Sequence, residues 1–170
     1  KKKYLPDLAT GRKLGAFALT EPNVGSDPSS IETNARADGD YFLLNGTKTF
    51  ITSAGTSDTV IVMASTDRSK RGRGISAFIV EKSFPGITVG AHESKLGIRA
   101  SDTCELIFEN CRVPRANLLG PEGAGLRAAL NALGFGRVGV AAQAIGIARC
   151  AMEAATSYSR DRNQFGKPIS

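Results

Sequence analysis

Tryptophan is absent from the 170-residue sequence, histidine occurs once, cysteine three times, and aromatic residues make up only 6%. A lone histidine, His92, leaves no ligand set for a metal, and Cys104, Cys111 and Cys150 stand at spacings that match neither a disulfide framework nor a zinc pattern. No metal site is therefore expected, and the cysteines read as structural thiols of a reducing compartment. Cys104 and Cys111 bracket the apolar run Leu106-Ile107-Phe108, which suggests opposite ends of one strand. No apolar run comes near the ~20 residues that cross a bilayer, and no signal-like segment opens the sequence, so no membrane partner is expected. The net charge of +6 is densest at Lys1 to Lys3 and at Arg68 to Gly74. Neither aromatic stacking residues nor a nucleic-acid motif accompanies these stretches. The second reads as a solvated loop between two strands, and no nucleic acid partner is expected.

What is present is an ordinary globular composition, 41% hydrophobic and 22% charged, long enough for one domain and part of another. The sequence starts at Lys1 without methionine and stops at Ser170, so it is expected to be incomplete. From Leu14 to about Val113, short runs rich in β-branched and aromatic residues are punctuated by turn dipeptides. Candidate strands are Gly15 to Leu19, Glu32 to Ala37, Tyr41 to Asn45, Lys48 to Thr52, Thr59 to Thr66, Gly74 to Glu81, Ile87 to Gly90 and Cys104 to Asn110. Asp38-Gly39-Asp40 and Asn45-Gly46 read as hairpin turns, their glycines supplying positive φ. From Gly123 onward alanine, leucine and isoleucine recur at helical spacing until Gly166 and Pro168. Leu126, Ala129, Leu130, Leu133, Val140, Ala144, Ile147, Ala148 and Ala151 form the apolar face. Gly134, Gly136, Gly139 and Gly146 each cost roughly 1 kcal/mol of helix propensity, which close packing or room for a ligand has to offset. The fold class expected is α+β: an all-β domain, barrel or sandwich, over 1–117, then the beginning of an α-helical bundle domain over 118–170.

Phe17 to Asp27 (FALTEPNVGSD), Asn45 to Gly55 (NGTKTFITSAG), Lys95 to Thr103 (KLGIRASDT) and Arg162 to Gly166 (RNQFG) together resemble the middle and early C-terminal domains of the acyl-CoA dehydrogenases. The resemblance covers nearly the whole sequence, with residues 1–13 matching a linker from an N-terminal helical domain. It implies FAD as cofactor. Phe17, Ala18, Leu19 and Thr20 then run along the flavin, donating backbone N–H groups and the Thr20 hydroxyl to its pyrimidine side, with Gly25 and Ser26 in the following loop. Phe50, Ile51 and Thr52 match an aromatic-Ile-Thr triplet that packs by the dimethylbenzene side and brings a hydroxyl toward N5. Arg162 and Phe165 match residues that bind the diphosphate and adenine of FAD in a neighbouring subunit, which implies a homo-oligomer, dimer or tetramer. Val24 departs from the pattern, which has a small residue there.

For the substrate, the resemblance implies acyl-CoA contacts from Ser26 and from Gly134, Phe135, Gly136 and Arg137. Many relatives carry aspartate at the place of Gly134. The isovaleryl and long-chain branches place their catalytic glutamate where Gly136 stands. A glycine accepts no proton, so the base is expected further toward the C-terminus, as in the short- and medium-chain branches, and no catalytic residue is assigned. The implied activity is α,β-dehydrogenation of an acyl-CoA thioester to the trans-2-enoyl-CoA in fatty acid β-oxidation, with electron transfer flavoprotein as partner. Acyl-CoA oxidases, flavin monooxygenases of the same fold and a non-catalytic binding module are the alternatives. The compartment expected is the bacterial cytoplasm, with the mitochondrial matrix as the alternative.

Overall fold

The computed structural model describes residues 2–170, so Lys1 of the basic N-terminal stretch lies outside them. The chain divides into two compact units between Ala129 and Leu130. In the first, a short helix α1 (Leu5–Ala9) lies within the stretch read as a linker. It precedes seven strands of one curled sheet: β1 (Gly15–Ala18), β2 (Asn34–Asp38), β3 (Tyr41–Thr52), β4 (Thr59–Ser65), β5 (Ile75–Glu81), β6 (Ile87–His92) and β7 (Thr103–Pro114). Neighbours run β1-β4-β2-β3-β7-β6, with β5 hydrogen-bonded to β4. The β1–β4 pair is parallel, β2 meets β4 at the single parallel register Asn34–Ser65, and every other pairing is antiparallel.

Alternation along the strands builds the core. Phe42 and Leu44 of β3, Val60 and Val62 of β4, Phe78 and Val80 of β5, and Leu106 and Phe108 of β7 are all buried in one cluster. Phe42 and Phe78 meet edge to face with ring centroids 5.0 Å apart. β4 shows no alternation, because Met63 and Ser65 on its other face are buried too. On β5 that face carries Ile75 and Ala77, and the backbone at Ser76 and Ala77 receives the segment before the long helix. Leu119 N–H donates to the Ala77 carbonyl at 2.8 Å, and a Cβ added to Gly125 would lie 2.5 Å from the Ser76 carbonyl carbon.

The turn expected at Asp38-Gly39-Asp40 forms, closing β2 on β3 with Asp38 opposite Tyr41 and Gly39 at φ +56°. The turn expected at Asn45-Gly46 does not. β3 runs unbroken from Tyr41 to Thr52, so the two candidate strands there are one. Its partner β7 bulges instead: Leu44 faces Cys111 while Gly46 faces Phe108, which leaves Glu109 and Asn110 opposite Asn45. Asn110 takes φ +50°, and its N–H donates to the Asn45 side chain at 2.8 Å. The inserted residue also explains why Cys104 and Cys111, seven positions apart, both face the core. Gly46 is needed for close approach rather than for turning. It has φ +146°, and an added Cβ would lie 2.5 Å from Thr33 Oγ1 and 2.7 Å from Thr33 Cα. Gly46→Ala is expected to lower stability by about 2 kcal/mol, read as a lower urea midpoint at unchanged slope.

α2 (Gly125–Asp161) is a single helix of 37 residues that continues into the second unit. There Leu130, Phe135, Val138, Val140, Ile145, Ile147 and Met152 are exposed. By length and composition alone α2 is sufficient to cross a membrane. A search for uninterrupted apolar runs passes over it, because Arg137 and Arg149 break the run. Core helices of bundles share this composition. After α2 the chain closes a two-stranded hairpin, β8 (Asn163–Gln164) and β9 (Lys167–Pro168), where only the end of a helical pattern was anticipated.

Candidate functional site

Two segments meet at the end of β1. Beyond Ala18 the chain leaves β4 and reaches β3, where Thr49 N–H donates to the Thr20 carbonyl at 3.0 Å and Lys48 Nζ donates to the Leu19 carbonyl at 3.0 Å. Glu21 to Val24 then forms a tight turn, closed by Glu21 N–H to Val24 O at 2.9 Å and Val24 N–H to Glu21 O at 3.1 Å. The Val24 side chain is buried, so the residue that departs from the motif is accommodated. Gly25 has open space where a Cβ would sit. Ser26 is exposed beside Asp27, whose carboxylate caps the 3₁₀ turn Pro28–Ser30 and is held below its ordinary pKa, first by the Ser29 hydroxyl and then by that of Ser30.

The geometry of the second segment follows from another bulge. Lys48 faces Leu106 but Ile51 faces Cys104, so β3 carries an extra residue, and Thr49 and Phe50 stand opposite Glu105. Strict alternation would put Lys48, Phe50 and Thr52 on one face. The extra residue reverses the parity. Lys48 and Ile51 point inward, 0% and 3% exposed, whereas Phe50 is 61% exposed and Thr52 lies on the outer side. Phe50 adopts φ +57°. For a bulky side chain this left-handed conformation costs roughly 1–2 kcal/mol, and it persists only where the surroundings impose it.

Behind these residues lies a buried ion pair. Lys48 Nζ and Glu21 Oε1 are 2.7 Å apart, with side chains 0% and 2% exposed. Glu21 also accepts from the backbone N–H of Glu32 and, at 3.0 Å, from that of Thr33. Burial presses the Lys48 pKa from 10.5 to about 8, against the attraction of Glu21. For Glu21 burial acts upward and is outweighed by the Lys48 charge and the hydrogen bonds, so its pKa falls. Both residues sit inside the two motifs and neither carries a role in the sequence reading. The signal was available, because Phe42, Leu44 and Lys48 share one parity, and an inward lysine requires a carboxylate.

The loop after β3 is braced from two sides. Lys82 Nζ donates to the Ala54 and Gly55 carbonyls at 2.9 and 2.7 Å, and Ser53 N–H donates to the Asp102 carbonyl at 2.8 Å. Lys95 holds Thr103 Oγ1 at 3.1 Å and the Ser101 carbonyl, so the Lys95 to Thr103 motif acts as a clamp next to Thr52. Asp102 lies against Gly55, and its pKa is lowered first by a hydrogen bond from Cys104, with the Gly55 and Thr56 amides and His92 adding to the effect.

One group of potential ligand atoms escapes the residue count that argued against a metal. The β6–β7 pairing brings His92 beside Asp102 and Cys104. His92 Nδ1 lies 3.2 Å from both Cys104 Sγ and Asp102 Oδ1, and Cys104 Sγ donates to Asp102 Oδ1 at 3.0 Å. Counting histidines along the chain misses such a group because strand pairing assembles it. The hydrogen bonds account for the cluster without an ion. Cys104 and Cys111 are free and buried, each pushed up to about 11 by burial, which makes them structural thiols. Cys150 is free and exposed.

The basic loop Arg68–Gly74 is docked rather than merely solvated. Arg68 donates to the Glu32 carbonyl at 2.6 Å, and Arg71 lies 3.4 Å from Asp27. In the second unit, Gly134, Phe135, Gly136 and Arg137 occupy exposed positions of α2, with Phe135 85% exposed and nothing within 4 Å of a Cβ added to either glycine. Arg162 follows the last turn of α2, its carbonyl accepting from Ile169 N–H at 2.9 Å. Phe165 and Gly166 have φ +53° and +77° at the tip of the β8–β9 hairpin, and Phe165 is 100% exposed.

Thr20 offers a backbone donor and a hydroxyl close to Phe50 and Thr52 of β3, a chemistry suited to an aromatic group that carries acceptors. No acceptor among the described residues pairs with the Thr20 N–H. Thr20 is half-buried and Thr52 exposed, and a strained, exposed aromatic, Phe50, stands one residue from Thr49, which is bonded to Thr20.

Residues 16–111 match the acyl-CoA dehydrogenase middle domain, and residues 123–170 match the acyl-CoA dehydrogenase C-terminal domain. Over 169 residues the chain is 54% identical to an acyl-CoA dehydrogenase of Bacillus subtilis and 50% identical to a short-chain specific acyl-CoA dehydrogenase of Clostridium acetobutylicum, covering 99% of this chain and 45% of each relative. The solved structure of butyryl-CoA dehydrogenase from Megasphaera elsdenii superposes with a TM-score of 0.95 at 51% identity, covering 99% of this chain and 44% of that one. The chain thus spans about half the length of the relatives it matches.

Proposed function

Because this chain belongs to the acyl-CoA dehydrogenase family, we propose that the protein containing it is an FAD-dependent dehydrogenase of short-chain acyl-CoA thioesters. The reaction removes a proton from Cα and a hydride from Cβ, leaving the trans-2-enoyl thioester. FAD supplies the hydride acceptor. The observation that carries the reading is the β3 bulge, which turns Phe50 and Thr52 outward beside the segment ending in Thr20. Phe17 to Thr20 hold the ring by main-chain donors and the Thr20 hydroxyl, Gly25 and Ser26 approach the pyrophosphate, and Phe50, Ile51 and Thr52 flank the other end. Ser26 and Gly134 to Arg137 contact the acyl-CoA. Arg162 and the fully exposed Phe165 reach the cofactor of a second subunit in a homo-oligomer. Electron transfer flavoprotein is the proposed electron acceptor, the domain boundary falls at 117/118, and the bacterial cytoplasm is the proposed compartment.

The test is anaerobic titration of the full-length protein, loaded with FAD, by butyryl-CoA. Bleaching of the flavin absorbance is expected, and a protein that takes up no FAD, or whose flavin stays oxidised, would sink the reading. A variant separates a cofactor role of Phe50 from a structural one. Phe50→Gly removes the left-handed strain, so the apo protein is expected to gain about 1 kcal/mol while FAD affinity falls roughly tenfold. Equal affinity in the variant and the parent, measured by fluorescence titration, counts against the placement of Phe50.

A further inference from the structure

We propose that Lys48 and Glu21 are a positioning pair that aims the Thr20 amide at the cofactor and tunes both its affinity and its reduction potential, an inference that rests on the flavin reading above. Lys48 holds the Leu19 carbonyl at 3.0 Å. In a trans peptide the carbonyl and the following N–H point in opposite directions. Drawing the Leu19 carbonyl toward the buried ammonium therefore turns the Thr20 N–H the other way, out of the core. The next carbonyl, that of Thr20, is taken by Thr49 N–H at 3.0 Å, one residue before the strained Phe50. Thr20 N–H itself has no acceptor among the described residues, so the arrangement leaves one aimed and unused donor.

Glu21 fixes the ammonium in turn. Its carboxylate joins Lys48 at 2.7 Å to the backbone N–H groups of Glu32 and Thr33, so three separate stretches of chain converge on one buried group. Packing alone is a poor reason for this arrangement. Apolar side chains of similar volume often replace a buried ion pair neutrally or with a gain in stability. What they cannot do is hold a carbonyl in one direction or polarise its peptide. A hydrogen bond from an ammonium to the Leu19 oxygen makes the adjoining Thr20 N–H a stronger donor. A strengthened donor facing the cofactor stabilises the negative charge gained on reduction. The pair acts through Thr20 and does not touch the substrate.

The decisive comparison is between the parent full-length protein and the double variant Glu21→Leu/Lys48→Met, which keeps the core filled without charge. Circular dichroism and melting establish folding, fluorescence titration gives the FAD dissociation constant, and spectroelectrochemistry gives the midpoint potential. Expected are a folded double variant, roughly tenfold weaker FAD binding and a midpoint shifted to more negative values. A folded double variant with the parent's affinity and potential overturns the proposal while leaving the flavin reading intact. A parent protein that takes up no FAD overturns both. If the double variant does not fold, Glu21→Gln decides the matter. It retains shape and a hydrogen-bond acceptor but loosens the anchor of Lys48, so FAD binding is again expected to weaken and the midpoint to move, with an unchanged affinity and midpoint overturning the proposal.

Discussion

Glu21→Ala is expected to lower the unfolding free energy by about 3–5 kcal/mol, because it strands a buried ammonium without a counterion. The substitution also removes the acceptor of the Glu32 and Thr33 N–H groups, which both bond the Glu21 carboxylate. Chemical denaturation at neutral pH reads the loss, and a change under about 1 kcal/mol would mean that the pair is not buried as described. The pH dependence carries the same information with a definite sign. Lys48 titrates near 10.5 when unfolded and at about 8 when folded. Between those values the unfolded chain binds more protons, so stability rises with pH, and the burden of burying the charge is fully felt below about 8. Without Glu21 the folded protein sheds that proton at lower pH, so the deficit of Glu21→Ala is expected to narrow as the pH rises from neutral toward 8. Cys104 and Cys111, raised from 9.0 to about 11, act in the opposite direction above 9. The comparison with the parent is therefore cleanest below that value. In the acid range Glu21, whose folded pKa is lowered, stabilises the parent above its ordinary 4.5 and is lost as the pH drops through the folded value.

Gly74→Ala is the second large effect. Gly74 is buried where the basic loop returns to β5, and its carbonyl accepts from Thr66 and Asp67 N–H at 2.8 and 3.2 Å. An added Cβ would lie 1.8 Å from the Asp67 carbonyl oxygen, a backbone atom that cannot swing aside. Relief requires the loop to move off β4, and a loss of about 3 kcal/mol is expected. The displaced loop carries Arg68, which holds the Glu32 carbonyl, and Glu32 is the residue whose N–H binds Glu21. The variant should therefore weaken FAD binding by the full-length protein as well as lower its melting temperature. A melting temperature within a degree or so of the parent's would show that the loop tolerates the shift.

Much of the fold was legible locally. Each strand candidate between Gly15 and Asn110 overlaps an observed strand, Tyr41 to Asn45 and Lys48 to Thr52 being parts of the single strand β3, and Gly39 supplies the positive φ that the β2–β3 turn requires. The errors share a cause. Asn45-Gly46 carries turn chemistry, yet Gly46 serves a close approach to Thr33 within a continuous strand. In the same way the basic run from Arg68 looks solvated until its neighbours Glu32 and Asp27 are brought to it.

The motifs and their order identified the family, and the spacing of apolar residues identified the strands and the long helix, because both are properties of adjacent residues. Tertiary structure alone decided which face each site residue takes. Alternation assigns faces only along an unbroken strand, and the extra residues at Glu109–Asn110 and Thr49–Phe50 reverse it. It also decided which distant residues meet: Lys48 with Glu21, and His92 with Asp102 and Cys104. Those encounters follow from strand pairing across long stretches of chain, where the selecting force is the burial of whole faces and the need of a buried charge for a partner.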